Sequence, residues 1–326
     1  MKMTYFEAIR RALREEMAGD PSVVVIGEDV GAHGGPYGTT KGLIEEFGSN
    51  RVIDTPIIES ALFDMGLGMA LTGHRPMVDL MVADFITLCT DQVIDGASHY
   101  PFMFDVKVPL TIRGPIGGGL RFTASQEKSL EALLTNFPGL TIVYPSSAPD
   151  AYGLLKSALR SDDPVILFEH KLLYFYSIEG DIPDEPDEGL VPIGRAAVQR
   201  PGTDLTIIAW GWPVRESVKA AEELAETDGL DIEVLDLRTI RPLDREAILE
   251  SVRRTNRAMV VQEAPRFSGF GAEVAATIQE FAFDDLDGPV LRLGAPEFPI
   301  AFSAPIQDAY LITSAKITDF VRKNLH

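Results

Sequence analysis

Short continuous apolar runs alternate along this chain with stretches whose apolar residues recur every three to four positions. The runs at 23–26, 76–82, 108–112, 140–144 and 164–169 predict buried strands, and the segments at 84–97, 127–135 and 148–160 predict helices between them. The opening segment is the plainest helix. Phe6, Ile9, Leu13 and Met17 share one face, while Arg10, Arg11, Arg14, Glu15 and Glu16 cover the other, a pattern that does not suit a targeting segment. Thr55 and Pro56 read as a capping hydroxyl and a first helical residue, which predicts a helix to Gly73 with Glu59 about one turn inside it.

The same alternation returns in the second half. Strands are predicted at 205–210, 231–236, 257–262 and 290–293, and helices at 213–226, 244–254, 271–282 and 313–324. This is the pattern of an α/β fold with mostly parallel sheets and helices on both faces. Residues 178–190 interrupt it: acids from Glu179 to Glu188 are interleaved with Pro183, Pro186 and two glycines, the composition of a solvated linker. The expected organisation is a first domain over 1–177, a linker over 178–190 and a smaller α/β domain over 191–326.

Charge narrows the partners. With 49 acids against 29 bases the net charge is −20, so phosphate backbones and anionic membranes are repelled, and neither nucleic acid nor a membrane is expected. No apolar run approaches the roughly 18 residues that span a bilayer. The single cysteine, Cys89, rules out an intrachain disulfide and reads as a small core residue, which suits a reducing, cytoplasmic setting.

Most familiar chemistry is excluded. The chain has no Gly-x-Gly-x-x-Gly opening a helix, no Walker-type lysine loop, no Gly-x-Ser-x-Gly elbow, and five scattered histidines without zinc-ligand spacing. The glycines of the loop at 113–119 suit a phosphate cradle or a plain connector. Glu59 has two readings: an acid favoured by the positive end of a helix dipole, or a carboxyl in a dry site that shares a proton with a ring nitrogen.

At DTPIIES (54–60) the chain resembles the beta subunits of the thiamine-diphosphate-dependent 2-oxo acid dehydrogenases of the pyruvate, branched-chain and acetoin types. The likeness runs in order through VVVIGEDVG (23–31), GGPYGTTKGL (34–43), HRPMVDLMVADF (74–85), DQVIDGASHY (91–100), RGPIGGG (113–119), the long stretch 138–171, LDLRTIRPLD (235–244) and EAPRFSGFGAEVAATI (263–278). It implies a pyrimidine-binding domain followed by a transketolase-type carboxy-terminal domain.

The resemblance also implies roles. Glu59 matches the glutamate that hydrogen-bonds the aminopyrimidine ring of the cofactor, Phe85 an aromatic position beside that ring, and Glu28, Ile57, Ile58 and Met81 neighbouring cofactor contacts. Main-chain oxygens near Leu110, Ala158, Leu159 and Ser161, with Asp163, match a potassium site found in some members. The diphosphate- and magnesium-binding motif, Gly-Asp-Gly followed by Asn, is missing, since no Gly-Asp-Gly occurs in the chain. In two-subunit members it lies on the alpha chain, so the resemblance implies an α2β2 heterotetramer that shares thiamine diphosphate between chains and leaves magnesium mainly to alpha. The expected reaction is decarboxylation of a 2-oxo acid, with the acyl group passed to a lipoyl-bearing acyltransferase.

One position departs from the pattern. Gln126 stands where dehydrogenase members carry a histidine assigned to substrate handling and acyl transfer. Glutamine can donate and accept hydrogen bonds but carries no proton near neutral pH. The alternative this favours is a carboligase, or half of a split transketolase, that delivers the cofactor-bound fragment to an aldehyde or ketone.

Overall fold

The computed structural model describes residues 1–175 and 180–325. The start of the expected linker, residues 178 and 179, lies outside them. The chain divides into two compact units: one of residues 1–116 and 134–193, the other of residues 117–133 and 194–326.

In the first unit, α1 (Tyr5–Gly19) leads into β1 (Val23–Gly27). Next come β2 (Val52–Asp54), α2 (Glu59–Leu71), β3 (Arg75–Asp79), β4 (Thr111–Ile116), β5 (Thr141–Val143), α3 (Ala148–Leu159) and β6 (Val165–His170). The strands pair in the order β5-β6-β4-β3-β1-β2, every pair parallel. Their residues are buried almost throughout, which is why the sequence shows unbroken apolar runs rather than alternation. The amphipathic α1 buries Tyr5, Ile9, Leu13 and Met17, and its start is closed by a capping box between Thr4 and Glu7.

Close approach of α2 to the sheet depends on Gly66. A Cβ there would come within 2.5 Å of Val78 Cγ2 and 3.3 Å of Leu110 Cδ1, so any side chain would push the helix and its first residue, Glu59, away from the strands. The acidic, proline-bearing stretch after 180 is pinned to this unit. Gly180–Asp181 pairs antiparallel with Lys2–Met3, the Pro186 carbonyl accepts from Lys156 Nζ at 2.9 Å, and Asp187 pairs with Arg160 at 2.9 Å.

The second unit is a five-stranded sheet. Its strands are β7 (Ala197–Arg200), β8 (Leu205–Ala209), β9 (Ile232–Asp236), β10 (Ala258–Pro265) and β11 (Leu291–Ala295), in the order β11-β10-β8-β9-β7. All pairs are parallel except the edge pair of β9 with β7. The helices α4 (Trp212–Asp228), α5 (Arg245–Thr255), α6 (Gly271–Phe281), α7 (Ala304–Tyr310) and α8 (Ser314–Asn324) complete it. Ile207, Val234 and Met259 from the sheet pack in one cluster with Leu224 of α4 and Ile317 and Val321 of α8.

Three local expectations need correction. The helix after Asp54 begins at Glu59, not at Pro56. Thr55 N–H is taken by the Gly27 carbonyl at 3.0 Å and Ile58 N–H by the Pro56 carbonyl at 3.0 Å, so a tight turn precedes the helix and Glu59 is its first residue. Residues 84–97 form a 3₁₀ turn (Ala83–Cys89) followed by a π-helical stretch (Gln92–Ser98) rather than one α-helix. Residues 113–116, expected in a loop, extend strand β4, and Arg113 is fully buried.

Candidate active site

Strands β2, β1 and β3 lie side by side, and their register aligns Asp54, Gly27 and Asp79 at their carboxyl ends. The residues expected to touch the cofactor's ring end leave from these three points. Glu28 follows Gly27, Ile57 to Glu59 follow Asp54, and Met81 and Phe85 follow Asp79. The carboxyl edge of a parallel sheet is where chain reversals leave polar groups facing one crevice. The fold therefore gathers Glu28, Ile57, Ile58, Glu59, Met81 and Phe85 on one edge of one sheet.

Glu28 is the buried member, 6% exposed, and its Oε1 has no hydrogen-bond partner. Burial, and then the nearby charges of Glu59, Asp29 and Asp79, push its carboxyl above the usual range. Glu59 is half-buried at the first position of α2. Its neighbours Ile57 and Ile58 are 75% and 53% exposed, so the dry surroundings expected for Glu59 are not supplied by this chain alone. Met81 is held in the left-handed region (φ 58°), where its N–H donates to Asp79 Oδ1 at 2.9 Å. A side chain with a Cβ costs about 1–2 kcal/mol there, and such strain clusters where a fold positions a working group.

Beneath this edge lies a charged network that sequence reasoning did not single out. Arg113 is fully buried and donates to Asp79, to Glu169 through Nε (2.8 Å) and Nη2 (2.6 Å), to Thr39 Oγ1 (3.1 Å) and to the Tyr174 hydroxyl. From the middle of β4 it reaches Asp79, the last residue of β3, and Glu169, near the end of β6. Burial raises Glu169 above the usual carboxylate range even with the guanidinium beside it. Part of the signal was present in the sequence: Asp79 and Glu169 each stand in an apolar run, which a parallel sheet tolerates only when such charges are paired, whereas Arg113 opens the Gly-rich stretch 113–119.

The turns expected to hold potassium are differently engaged. The Leu159 and Ser161 carbonyls accept from Arg75 Nη1 at 3.3 and 2.7 Å, while Arg75 Nη2 binds Asp162 at 2.6 Å. The Leu110 carbonyl accepts from Val165 N–H and the Ala158 carbonyl from Ser161 N–H, and Asp163 donates its N–H to Ser161 Oγ. A guanidinium thus serves two of the expected oxygens, each of which keeps a second lone pair. Among the described residues, no group of three histidine, cysteine or acidic side chains could hold a metal.

Gln126 belongs to the other unit. It is half-buried, and its N–H donates to the Thr123 carbonyl at 3.0 Å. Its segment, 117–133, is braced by three buried carboxylates. Glu127 accepts from Leu120 N–H (2.9 Å) and Gln307 Nε2 (2.6 Å). Glu263 accepts from Gly118 N–H (2.8 Å), and Glu131 accepts from Trp210 Nε1 (3.2 Å). Glu131 Oε2 has no partner, and burial first, with Glu263 adding to it, pushes its carboxyl up to about 7.

Comparison with known proteins adds an independent finding. The model of the transketolase pyrimidine-binding domain matches residues 1–176, and that of the transketolase C-terminal domain matches residues 194–317. The chain is 43% identical over 314 residues to the 2-oxoisovalerate dehydrogenase subunit beta of Bacillus subtilis (strain 168), covering 96% of this chain and 95% of that one. From the same organism, the pyruvate dehydrogenase E1 component subunit beta is 42% identical over 327 residues (98% and 99% covered). The acetoin:2,6-dichlorophenolindophenol oxidoreductase subunit beta is 40% identical over 325 residues (95% and 94% covered). A solved structure described as "Split gene transketolase, inactive beta4 tetramer" aligns with a TM-score of 0.78 over 98% of this chain and 97% of that one. At 24% identity it speaks for the fold alone.

Proposed function

The chain belongs to the beta subunits of the 2-oxo acid dehydrogenase E1 components, within the transketolase fold family, and from that premise we propose the part its own residues play. It works with an alpha subunit to decarboxylate a 2-oxo acid in a thiamine-diphosphate-dependent reaction. The bound cofactor supplies the carbon nucleophile and electron sink. This chain supplies the proton chemistry at the cofactor's ring end, and the observation that carries the reading is the convergence of Glu28 and Glu59 on one sheet edge beside two exposed isoleucines.

Glu59, as the first residue of α2, is positioned to share a proton with a ring nitrogen, a general acid–base contribution typically worth about 10²–10⁴-fold in rate. Glu28 is buried, and that burial with the like charges around it holds its carboxyl above the usual range. The orphaned Glu28 Oε1 fits a polar group of a bound ring, and the apolar faces of Ile57, Ile58, Met81 and Phe85 fit its flat sides. The exposure of Ile57 and Ile58 is accounted for by a second polypeptide that closes the site and holds the diphosphate and its magnesium. We assign that place to the alpha chain in an α2β2 assembly.

We further assign Gln126 to substrate handling, by its match to the family histidine, and a lipoyl-bearing acyltransferase as the acceptor. The aldehyde- or ketone-accepting alternative rests on Gln126 alone, while relatives at 40–43% identity are dehydrogenase or oxidoreductase subunits. The lone cysteine is buried, in keeping with the cytoplasm as its place of work, and no described helix is long and apolar enough to cross a membrane. Reconstitution with the alpha chain, a panel of 2-oxo acids and either lipoylated domain or an aldehyde tests the reading. Acyl-lipoamide without carboligation is expected, and carboligation without acyl-lipoamide would overturn it.

A further inference from the structure

Immediately after β3 the chain makes a tight turn. Val82 N–H donates back to the Leu80 carbonyl, and Met81 between them stands at φ 58°. A turn this short with its middle residue at positive φ is the rare, strained form of the γ-turn. Strain of that kind persists only where the surroundings over-determine it. Here β3 and β4 do so: Leu80 N–H donates to the Arg113 carbonyl at 3.0 Å, and Met81 N–H donates to Asp79 Oδ1 at 2.9 Å. Arg113 Nη1 donates in turn to Asp79 Oδ2. Both oxygens of Asp79 are therefore engaged, one by the guanidinium and the other by the turn.

The balance of charge sets Asp79 apart. Asp79 and Glu169 are both buried beside Arg113, and Glu169 alone takes its Nε and Nη2 groups, at 2.8 and 2.6 Å. Among the described residues neither carboxylate pairs with any other cation. A single carboxylate neutralises a guanidinium, so the second is a further charge taken out of water at a cost in stability. What an aspartate offers at this position is a pair of acceptor oxygens. Asparagine has one, which the guanidinium would claim, and its NH2 group would then face the Met81 N–H, donor against donor.

Met81 is half-buried, and the proposed function assigns its side chain to a flat side of the cofactor's ring. Resting on that assignment, we propose that Asp79 is a positioning residue for the decarboxylation: clamped by Arg113, it holds the turn at 80–82 and so fixes the direction from which Met81 meets the ring. A methionine side chain is unbranched and adapts to its surroundings, so its aim depends on the backbone it leaves from. Without the Asp79 acceptor, the backbone of Met81 relaxes to negative φ, the ordinary region for a residue with a Cβ.

The test is a double-mutant cycle read as calorimetric affinity for thiamine diphosphate, with magnesium present, in the assembly with the alpha chain. Met81→Ala removes the contact and keeps the backbone, whereas Asp79→Asn removes the hold and keeps the side chain. Each should weaken binding about tenfold, and the double variant also only about tenfold, because both changes remove the same contact. Asp79→Asn leaves Arg113 paired with Glu169, so the assembly should melt within a few degrees of the natural one. Should that variant not assemble, Asp79→Glu, which keeps the charge but moves both oxygens by one methylene, completes the same cycle with the same expected coupling. Natural affinity in the position-79 variant or in Met81→Ala would overturn the proposal. So would a double variant weakened about a hundredfold, the product expected of independent effects and of a merely structural role for Asp79. Glu59→Gln reports on the functional reading separately: loss of decarboxylation there upholds that reading even where the cycle overturns the role of Asp79.

Discussion

Replacing Glu131 by glutamine isolates the one carboxyl that burial raises to about 7 from an ordinary 4.5. The sign follows from linkage: a carboxyl raised in the folded state binds its proton more tightly there than in the unfolded chain. Its contribution is therefore fully present below about pH 4.5 and is lost as pH climbs through about 7. At 1.36 kcal/mol per pKa unit, Glu131 withdraws about 3 kcal/mol of stability between pH 4 and pH 8, and about 1 kcal/mol of that falls between pH 6 and pH 8. Glutamine keeps the oxygen that accepts from Trp210 Nε1 and cannot ionise. Whatever constant offset the substitution brings, the stability of Glu131→Gln relative to the natural chain should rise by about 1 kcal/mol from pH 6 to pH 8. In melting temperature that is about 2 °C for a chain of this size. Paired thermal melts of both proteins across pH 4.5 to 8.5 provide the measurement. Parallel curves would refute the argument that Glu131 is a desolvated, partly unpartnered acid.

Four further outcomes follow from the same geometry. Arg113→Met strands Asp79 and Glu169 without their cation in a dry interior and should cost about 3–5 kcal/mol in denaturant unfolding. Gly153→Ala places a Cβ 2.3 Å from the Gly189 carbonyl oxygen, a backbone atom that cannot swing aside; a loss of about 1–3 kcal/mol is expected by the same assay. Cys89, with its thiol pushed up to about 12 by burial and then by Glu59 and Asp64, should resist thiol reagents at pH 8 until the chain is unfolded. Gln126→His should raise acyl transfer to a lipoylated domain in the reconstituted enzyme if the departure at this position limits that step, and an unchanged rate would show the departure to be neutral.

The alternation of apolar runs and helical spacing was enough to read the main parallel strands of both sheets, because strands buried on two faces are mostly apolar; the half-exposed antiparallel edge strand Ala197–Arg200 carries no such run and was not read. The site's ring-end residues were legible only through motif resemblance. Nothing in the local pattern of Glu28 or Met81 shows that Gly27, Asp54 and Asp79 fall in register. The start of α2 was misplaced because Thr55 and Pro56 carry capping chemistry that tertiary hydrogen bonds to Gly27 override. The 3₁₀ and π-helical turns at 83–98 were read as one helix, since their apolar spacing over a single turn resembles that of an α-helix. Arg113 was hidden for the opposite reason: beside three glycines it looked like a loop residue, and only its pairing with Asp79 and Glu169 explains a guanidinium inside a sheet.

Glu59 remains the decisive residue. The Glu59→Gln variant should be co-assembled with the alpha chain, its subunit composition checked by sedimentation, and its single-turnover decarboxylation of a 2-oxo acid compared with the natural enzyme. A fall of about 10²–10⁴-fold in rate with the α2β2 assembly intact is the expected result. Decarboxylation within a few-fold of the natural rate in that intact assembly would contradict the account.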